Sequence, residues 1–300
     1  MSSKNSESKP IKTQLVYGLI WLFAKLPLGF TQWLMGLFAR LAMLLNSRSY
    51  HVSLVNIGLC FPDLSAHEQK VLAQKSLLHT FKIAPEIAKA WLNPCIQDWI
   101  ENVYGEASIQ EDLANGHGVL ITGSHLGNWE VALFYLGKTF DFTCMYRKPR
   151  YQELDDIICK GRCKNTTVMV PGDAKGLREF LKVLKACKVA ALLSDQEPGG
   201  DTGVFVPFFG QEAKTMDLIQ KIQKKSKAKL YQIAAIKNAN GKYDIHLPSI
   251  EIDTELSAAD YASQLNLELE KIIRKYPEQY QWSYKRFKTT QDGSANPYAK

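Results

Sequence analysis

Between Leu15 and Leu45 the chain carries only two charges, Lys25 and Arg40, among apolar residues that include Trp21, Phe23, Phe30, Trp33 and Phe38. No charge-free run there reaches the roughly 18 apolar residues of a clear spanning helix, yet the stretch is too apolar for a solvated surface. Pro27 and Gly29 are expected to break it into two pieces. The pattern fits a membrane anchor, either a tilted span or an interfacial helix, with a pair of core helices as the competing reading. A secretory signal peptide fits poorly, because no small-x-small cleavage site follows a single short apolar core. Residues 1–13 are polar, rich in Ser and Lys, and read as disordered.

Helical periodicity dominates 65–92, opened by Ser65-x-x-Glu68 as a capping box and expected to break near Pro85. From about residue 100 the pattern alternates. Short apolar runs at 118–122, 142–146, 167–170, 189–193, 230–236 and 243–250 read as strands. Helical stretches at 130–136, 153–164, 174–187, 213–227 and 258–276 separate them. That alternation predicts an α/β fold with a mixed central sheet flanked by helices. The expected organisation is a disordered N-terminus (1–13), a membrane-anchoring segment (14–45), a helical cover (46–100) and a catalytic α/β domain (101–300).

The 300 residues are 46% hydrophobic and 22% charged, enough for one large domain with a buried core. A formal charge of +7 favours acidic partners such as anionic lipid headgroups, phosphorylated substrates or an acidic carrier protein, without requiring nucleic acid. Six cysteines without a C-x-x-C pair read as reduced core thiols. Cys159 and Cys163 lack a third ligand nearby, so no metal site is expected. The run Lys221, Lys224, Lys225, Lys227 and Lys229 reads as a solvated helix face or, facing a membrane, as an attractor of anionic lipid or carrier protein. Trp282, Tyr284, Lys285, Arg286, Phe287 and Lys288 mix aromatic and basic groups as an interfacial belt does, although core packing explains the Trp and Tyr almost as well.

The chemistry concentrates in Gly123-Ser124-His125-Leu126-Gly127-Asn128-Trp129-Glu130, between a predicted strand and a predicted helix. Side chains at the carboxyl end of a strand in such a sheet face the crevice where ligands bind. On one regular helix His125 and Glu130 would sit about 140° apart and could not meet. With His125 in the turn and Glu130 in the first helical turn, the chain can fold back and bring carboxylate to imidazole, helped by Gly123 and Gly127. A carboxylate-held imidazole has a fixed tautomer and is a competent general base. The sequence has no G-x-S-x-G elbow, P-loop, dinucleotide fingerprint or H-E-x-x-H helix, so the nucleophile is expected to be the substrate's own hydroxyl. Asp195 and Gln196 follow a predicted strand and either bind substrate or cap the turn before Pro198. Val206-Pro-Phe-Phe reads as acyl-channel lining or ordinary core. Lys214 and Thr215 are placed to reach a phosphate, with an N-cap role for Thr215 equally open.

Several segments, taken together, resemble the bacterial lipid A biosynthesis acyltransferases, which share an H-x4-D/E motif with the wider glycerolipid acyltransferases. They are Asn56-Ile-Gly-Leu-Cys-Phe-Pro62, His125-Leu-Gly-Asn-Trp-Glu130, Tyr146-Arg-Lys-Pro149, Ser194-Asp-Gln196, Val206-Pro-Phe-Phe-Gly210 and Gln281-Trp-Ser-Tyr-Lys-Arg-Phe287. The resemblance runs over about residues 15–288. It implies a glycerolipid-acyltransferase-like fold with an N-terminal membrane-anchor helix, on the cytoplasmic face of the bacterial inner membrane. It implies transfer of a fatty acyl chain from an acyl carrier protein thioester, or acyl-CoA, to a hydroxyl of a lipid A precursor, with no resident cofactor. His125 is then the base and Glu130 its orienting partner. Arg147 and Arg162 match basic positions of the family's site, and Asp195 and Gln196 join them as substrate-binding candidates. A guanidinium suits a phosphate or a charged thioester oxygen, while pairing of Arg162 with Asp155 or Asp156 is the plainer reading. The Gly-Asn-Trp-Glu form also occurs in relatives that acylate other lipids, so another glycolipid, an aminolipid or a lysophospholipid is the alternative acceptor. Thioester hydrolysis by an activated water and a non-catalytic anionic-lipid-binding surface protein are the competing functions.

Overall fold

Short aliphatic runs closed by turns make strands, and longer amphipathic runs make the helices that cover them. The computed structural model describes residues 11–92, 96–149, 152–163, 167–293 and 295–299. Four helices come first: α1 (Ile11–Lys25), α2 (Leu28–Leu44), α3 (Arg48–Cys60) and α4 (Ala66–Leu92). The α/β part follows as β1 (Ile100–Tyr104), α5 (Glu106–Ala114), β2 (Val119–Gly127), α6 (Trp129–Thr139), β3 (Phe142–Tyr146), α7 (Gln152–Arg162), β4 (Val168–Pro171), α8 (Ala174–Lys185) and β5 (Val189–Leu193). It continues with the hairpin β6 (Val204–Phe208) and β7 (Gln211–Thr215), then α9 (Leu218–Ser226), β8 (Lys229–Lys237), β9 (Tyr243–His246), β10 (Ser249–Ile250) and α10 (Ala258–Lys275).

The main sheet has the order β1-β9-β8-β2-β5-β3-β4, with β10 also paired to β8. Strands β8, β2, β5, β3 and β4 run parallel, while β9 and β10 lie antiparallel to β8, which makes the sheet mixed but mostly parallel. Strand β2 is buried on both faces, as the centre of a helix-covered sheet requires. Val119 and Ile121 pack with Val131 and Leu136 of α6 on one face, and Leu120 packs with Phe180 of α8 and Leu265 of α10 on the other. A third cluster joins α3 and α4 to the hairpin and the C-terminal segment, with Phe61, Phe209 and Trp282 in mutual aromatic contact. Asn56 locks it by donating to the carbonyls of Trp282 at 2.6 Å and Tyr284 at 2.7 Å.

Several expectations are corrected here. Residues 11–13 belong to α1 rather than to a disordered terminus; residues 1–10 and Cys95 lie outside the described residues. Helix α4 runs unbroken through Pro85, because tertiary packing of its buried face holds the turn that the proline weakens. Its capping box forms as expected, with Ser65 N–H donating to Glu68 at 2.8 Å and Glu68 N–H to Ser65 at 3.3 Å. Residues 213–215 are strand, not helix, since they pair with β6. Val206, Phe208 and Phe209 are buried in core rather than lining an open channel. Trp282 and Arg286 are buried too, so the C-terminal segment is a packing element and not an interfacial belt. Thr215 accepts from Arg286 and Asn266, and Lys214 donates to the Gly200 carbonyl. The lysine run ends at Lys229, which pairs with Val119 at the start of β2, so it lies at the sheet edge about 20 Å from His125.

Among the described residues no single helix is long and apolar enough to cross a membrane; α2 and α3 pass together only as a pair bent by 74°. Pro27 separates α1 from α2, as the sequence predicts.

Candidate active site

The site begins as a defect in β2. Gly123 pairs with Ile233 and Gly127 with Ala235, so four residues of β2 span what two residues of β8 cover. The surplus bulges outward and re-aims the side chain at its centre, His125. Gly127 closes the bulge at φ +63°, where an added Cβ would overlap the Ala235 carbonyl oxygen. No other residue fits there. Asn128 then caps α6, its side-chain oxygen accepting from the N–H groups of Glu130 at 3.2 Å and Val131 at 3.4 Å.

Parallel pairing supplies the imidazole's partner. Gly123 of β2 stands opposite Leu193 of β5, so the residues two positions further on, His125 and Asp195, emerge side by side at the carboxyl edge. His125 Nδ1 lies 2.8 Å from Asp195 Oδ1. Asp195 Oδ2 accepts from the His125 backbone N–H at 2.9 Å and from the Tyr280 hydroxyl at 3.0 Å. Burial alone would raise the Asp195 pKa, but its charge interaction and hydrogen bonds with His125, together with the Tyr280 bond, outweigh that and hold it below the usual carboxylate value. The Tyr280 hydroxyl, buried beside that carboxylate, is pushed well up and stays a donor.

Glu130 is therefore not the carboxylate on His125. Both its oxygens bind Arg162, one to Nε at 3.0 Å and one to Nη2 in a shorter contact. The reason is directional: Glu130 sits in the first turn of α6, pointing to the side where α7 ends at Arg162. Arg162 thus pairs with Glu130. Burial works against its charge, yet the Glu130 carboxylate more than offsets this and pushes its pKa up.

The remaining candidates divide. Gln196 lies on the imidazole, its amide nitrogen 3.4 Å from each ring nitrogen. Trp129 packs edge-on against the same ring at 5.0 Å. Arg147 is exposed beyond the end of β3 at the same sheet edge. Asp195 is turned inward behind His125, while the imidazole side chain remains 20% exposed, with Nδ1 held by the carboxylate. Tyr280 escapes sequence reasoning, since nothing local marks one tyrosine in a C-terminal segment. Asp195 is legible as a site residue, but its role needs the β2–β5 register. Among the described residues no group of three or more His, Cys, Asp or Glu is placed to hold a metal ion.

Helix α4 backs this edge. Ser76 donates to the Tyr280 carbonyl at 2.7 Å, and the His79 ring bonds the Gly127 backbone while its Nε2 is buried without a partner. Burial lowers the His79 pKa from 6.5 to about 4, with Lys237 and Lys82 adding to the effect and the Gly127 bond and Glu86 opposing it. Between those two values the unfolded chain takes up a proton that the folded one refuses, so His79 makes stability fall as pH drops from 6.5 toward 4. The slope is about 1.4 kcal/mol per pH unit. Thermal unfolding of His79→Gln should show a smaller Tm loss between about pH 7 and pH 5 than the parent; equal losses would exclude His79 as the source. Asp195 acts lower, its contribution being lost as pH falls through its depressed folded value.

The sequence model described as bacterial lipid A biosynthesis acyltransferase matches residues 3–289. The lipid A biosynthesis lauroyltransferase of Escherichia coli (strain K12) is 28% identical over 95% of this chain and 94% of its own length. The palmitoleoyltransferase of the same strain is 25% identical, covering 94% and 92%, and the myristoyltransferase is 24% identical, covering 86% and 81%. With the family match running over nearly the whole chain, this protein belongs to the bacterial lipid A biosynthesis acyltransferases and is an acyltransferase.

Proposed function

We propose that the protein transfers a fatty acyl chain from an acyl carrier protein thioester to a hydroxyl of a lipid A precursor, with His125 as general base and Asp195 holding it. The carrying observation is that a buried, thrice-bonded carboxylate fixes Nδ1 of a partly exposed histidine at the carboxyl edge of the sheet. His125 Nε2 takes the proton from the acceptor hydroxyl, the freed oxygen attacks the thioester carbon, and the carbon–sulfur bond breaks. The departing thiolate regains the proton from the imidazolium, leaving an ester and a free carrier thiol. Gln196, 3.4 Å from Nε2, steadies the hydroxyl, and exposed Arg147 receives the precursor's anionic headgroup. No cofactor is needed for these steps. Relatives of nearly equal similarity are named for different acyl chains, so chain length is set by positions that vary among them.

The test is mass spectrometry of lipid products after mixing the detergent-purified protein with carrier thioesters of lauroyl, myristoyl and palmitoleoyl chains and a lipid A precursor. An acylated precursor carries the reading. Free fatty acid alone means hydrolysis, and consumption only with another glycolipid, aminolipid or lysophospholipid moves the acceptor.

The same reading seats the protein on the cytoplasmic face of the inner membrane. Phe30, Trp33, Leu37, Leu41 and Leu44 recur at three- and four-residue steps on one exposed face of α2, opposite the buried Thr31, Gly36 and Ala39. Leu19 and Trp21 of α1 are exposed as well. Such a face lies in the interface rather than spanning it. Phe30 and Trp33 are 49% and 57% exposed, so Phe30→Glu/Trp33→Glu leaves the fold intact. Removing two inserted aromatics should weaken vesicle binding by roughly 100-fold. Undiminished flotation with anionic vesicles would refute the seating.

A further inference from the structure

Four donors from four elements converge on one carboxylate that the mechanism does not use. Glu86, in α4 and only 1% exposed, accepts from Gln32 of α2 at 2.5 Å and from Lys237 of β8 at 2.5 Å on Oε1. Its Oε2 accepts from Asn128 Nδ2 at 3.0 Å and from the Tyr243 hydroxyl in a shorter contact. A buried carboxylate is costly even when paired, and an apolar side chain in its place would often be as stable. Stability alone is therefore a weak reason for it.

Its position supplies a better one. Asn128 is the hinge between the His125 bulge and the first turn of α6. Its backbone N–H is fixed on the Ala235 carbonyl at 2.9 Å, leaving the side-chain amide to be oriented. With a carboxylate on one side, the amide must present Nδ2 to Glu86 and its oxygen to the helix N-terminus. That oxygen caps Glu130 and Val131, and so aims the turn carrying Trp129, which packs on His125, and Glu130, which holds Arg162. Reversed, the amide would set N–H against N–H and the cap would be lost. Gln32 reaches the same carboxylate from the helix whose outer face carries Phe30, Trp33 and Leu37.

Building on the acyl-transfer reading above, we propose that Glu86 is a positioning residue that orients the Asn128 cap and thereby the His125–Glu130 turn, and that Gln32 ties the seated helix α2 to that point. The full-length protein, assayed for transfer from a carrier thioester to a lipid A precursor, tests it. A wild-type protein without turnover would count against acyl transfer itself, so the Glu86 assignment is read only against an active parent.

Glu86→Gln removes the charge that sets the amide, and Asn128→Asp puts two carboxylates within about 3 Å. Each should lower kcat about tenfold or more, with KM for the thioester changed less than about threefold. The double variant restores one amide facing one carboxylate, in reversed order, and the new carboxylate at position 128 can still cap the helix. Its kcat should return to within about threefold of the parent, a non-additivity that a merely structural role does not produce. Gln32→Leu should lower kcat about threefold with Tm and vesicle binding unchanged. A folded double variant no better than the single ones overturns the proposal, as does Glu86→Gln with reduced Tm but unaltered kcat per folded molecule. Unchanged kcat in Gln32→Leu removes the α2 limb. Should Glu86→Gln alone fail to fold, Asn128→Asp and the double variant still decide.

Discussion

Asn in place of Asp195 is expected to cut kcat by roughly 10³- to 10⁴-fold while the protein keeps its fold and its lipid binding. The reason lies in which oxygen does what. Asp195 Oδ2 accepts from both the His125 backbone N–H and the Tyr280 hydroxyl, whereas Oδ1 faces His125 Nδ1. An asparagine must place its carbonyl oxygen where two donors already point, so its NH2 is forced toward Nδ1. Nδ1 then has to accept, and the ring proton moves to Nε2. That is the nitrogen meant to receive the substrate proton, and a protonated Nε2 cannot act as a base. The amide is nearly isosteric, so the loss should appear in turnover far more than in KM. Nuclear magnetic resonance of the His125 ring nitrogens would report the tautomer directly. If Asp195→Asn retains kcat within about tenfold of the parent in a folded protein, His125 is not held by this carboxylate during catalysis.

That outcome also bears on what a sequence can reveal. His125 is legible because its motif sits between a strand pattern and a helix pattern. Its partner is not, because proximity along the chain favours Glu130, five residues away, over Asp195, seventy away. Only the register of two parallel strands, with Gly123 opposite Leu193, makes the distant residue the neighbour. The strands 142–146 and 189–193 stand out because they are largely buried on both faces and the apolar run is nearly continuous. The β6–β7 hairpin is hidden, since Pro207 interrupts one strand and Glu212 and Lys214 give the other no apolar alternation. Helix α4 reads as broken because a proline removes one local bond, while the contacts that compensate come from elements far away in the chain. The six motif segments carry the family resemblance, yet most of them shape the site from behind. Asn56 binds the C-terminal segment, Phe61 and Phe209 pack on Trp282, and that packed segment presents Tyr280 to Asp195.

Glu130→Ala should destabilise the protein by about 3–5 kcal/mol, because it strands a largely buried guanidinium without its partner. The side chains of Glu130 and Arg162 are 2% and 15% exposed, and two parallel bonds join them, so water screens little of the pair. Position reinforces it: the carboxylate stands at the N-terminus of α6 and the guanidinium at the C-terminus of α7, each at the helix end that favours its charge. For a chain of this size the loss corresponds to a fall in Tm on the order of 10 °C. Arg162→Met should cost a similar amount by stranding the carboxylate instead. Glu130→Met/Arg162→Met removes both charges together, and apolar groups of comparable volume should recover most of the stability. Turnover should not recover with it. Two of the five guanidinium N–H donors are spent on Glu130, and a further donor of the same group is the one that would meet a thioester oxygen or a precursor phosphate. A double variant as stable as the parent yet at least about tenfold slower would place Arg162 on the substrate. One restored in both respects would mean that the pair only fastens α6 to α7, and that the acyl oxygen meets other donors.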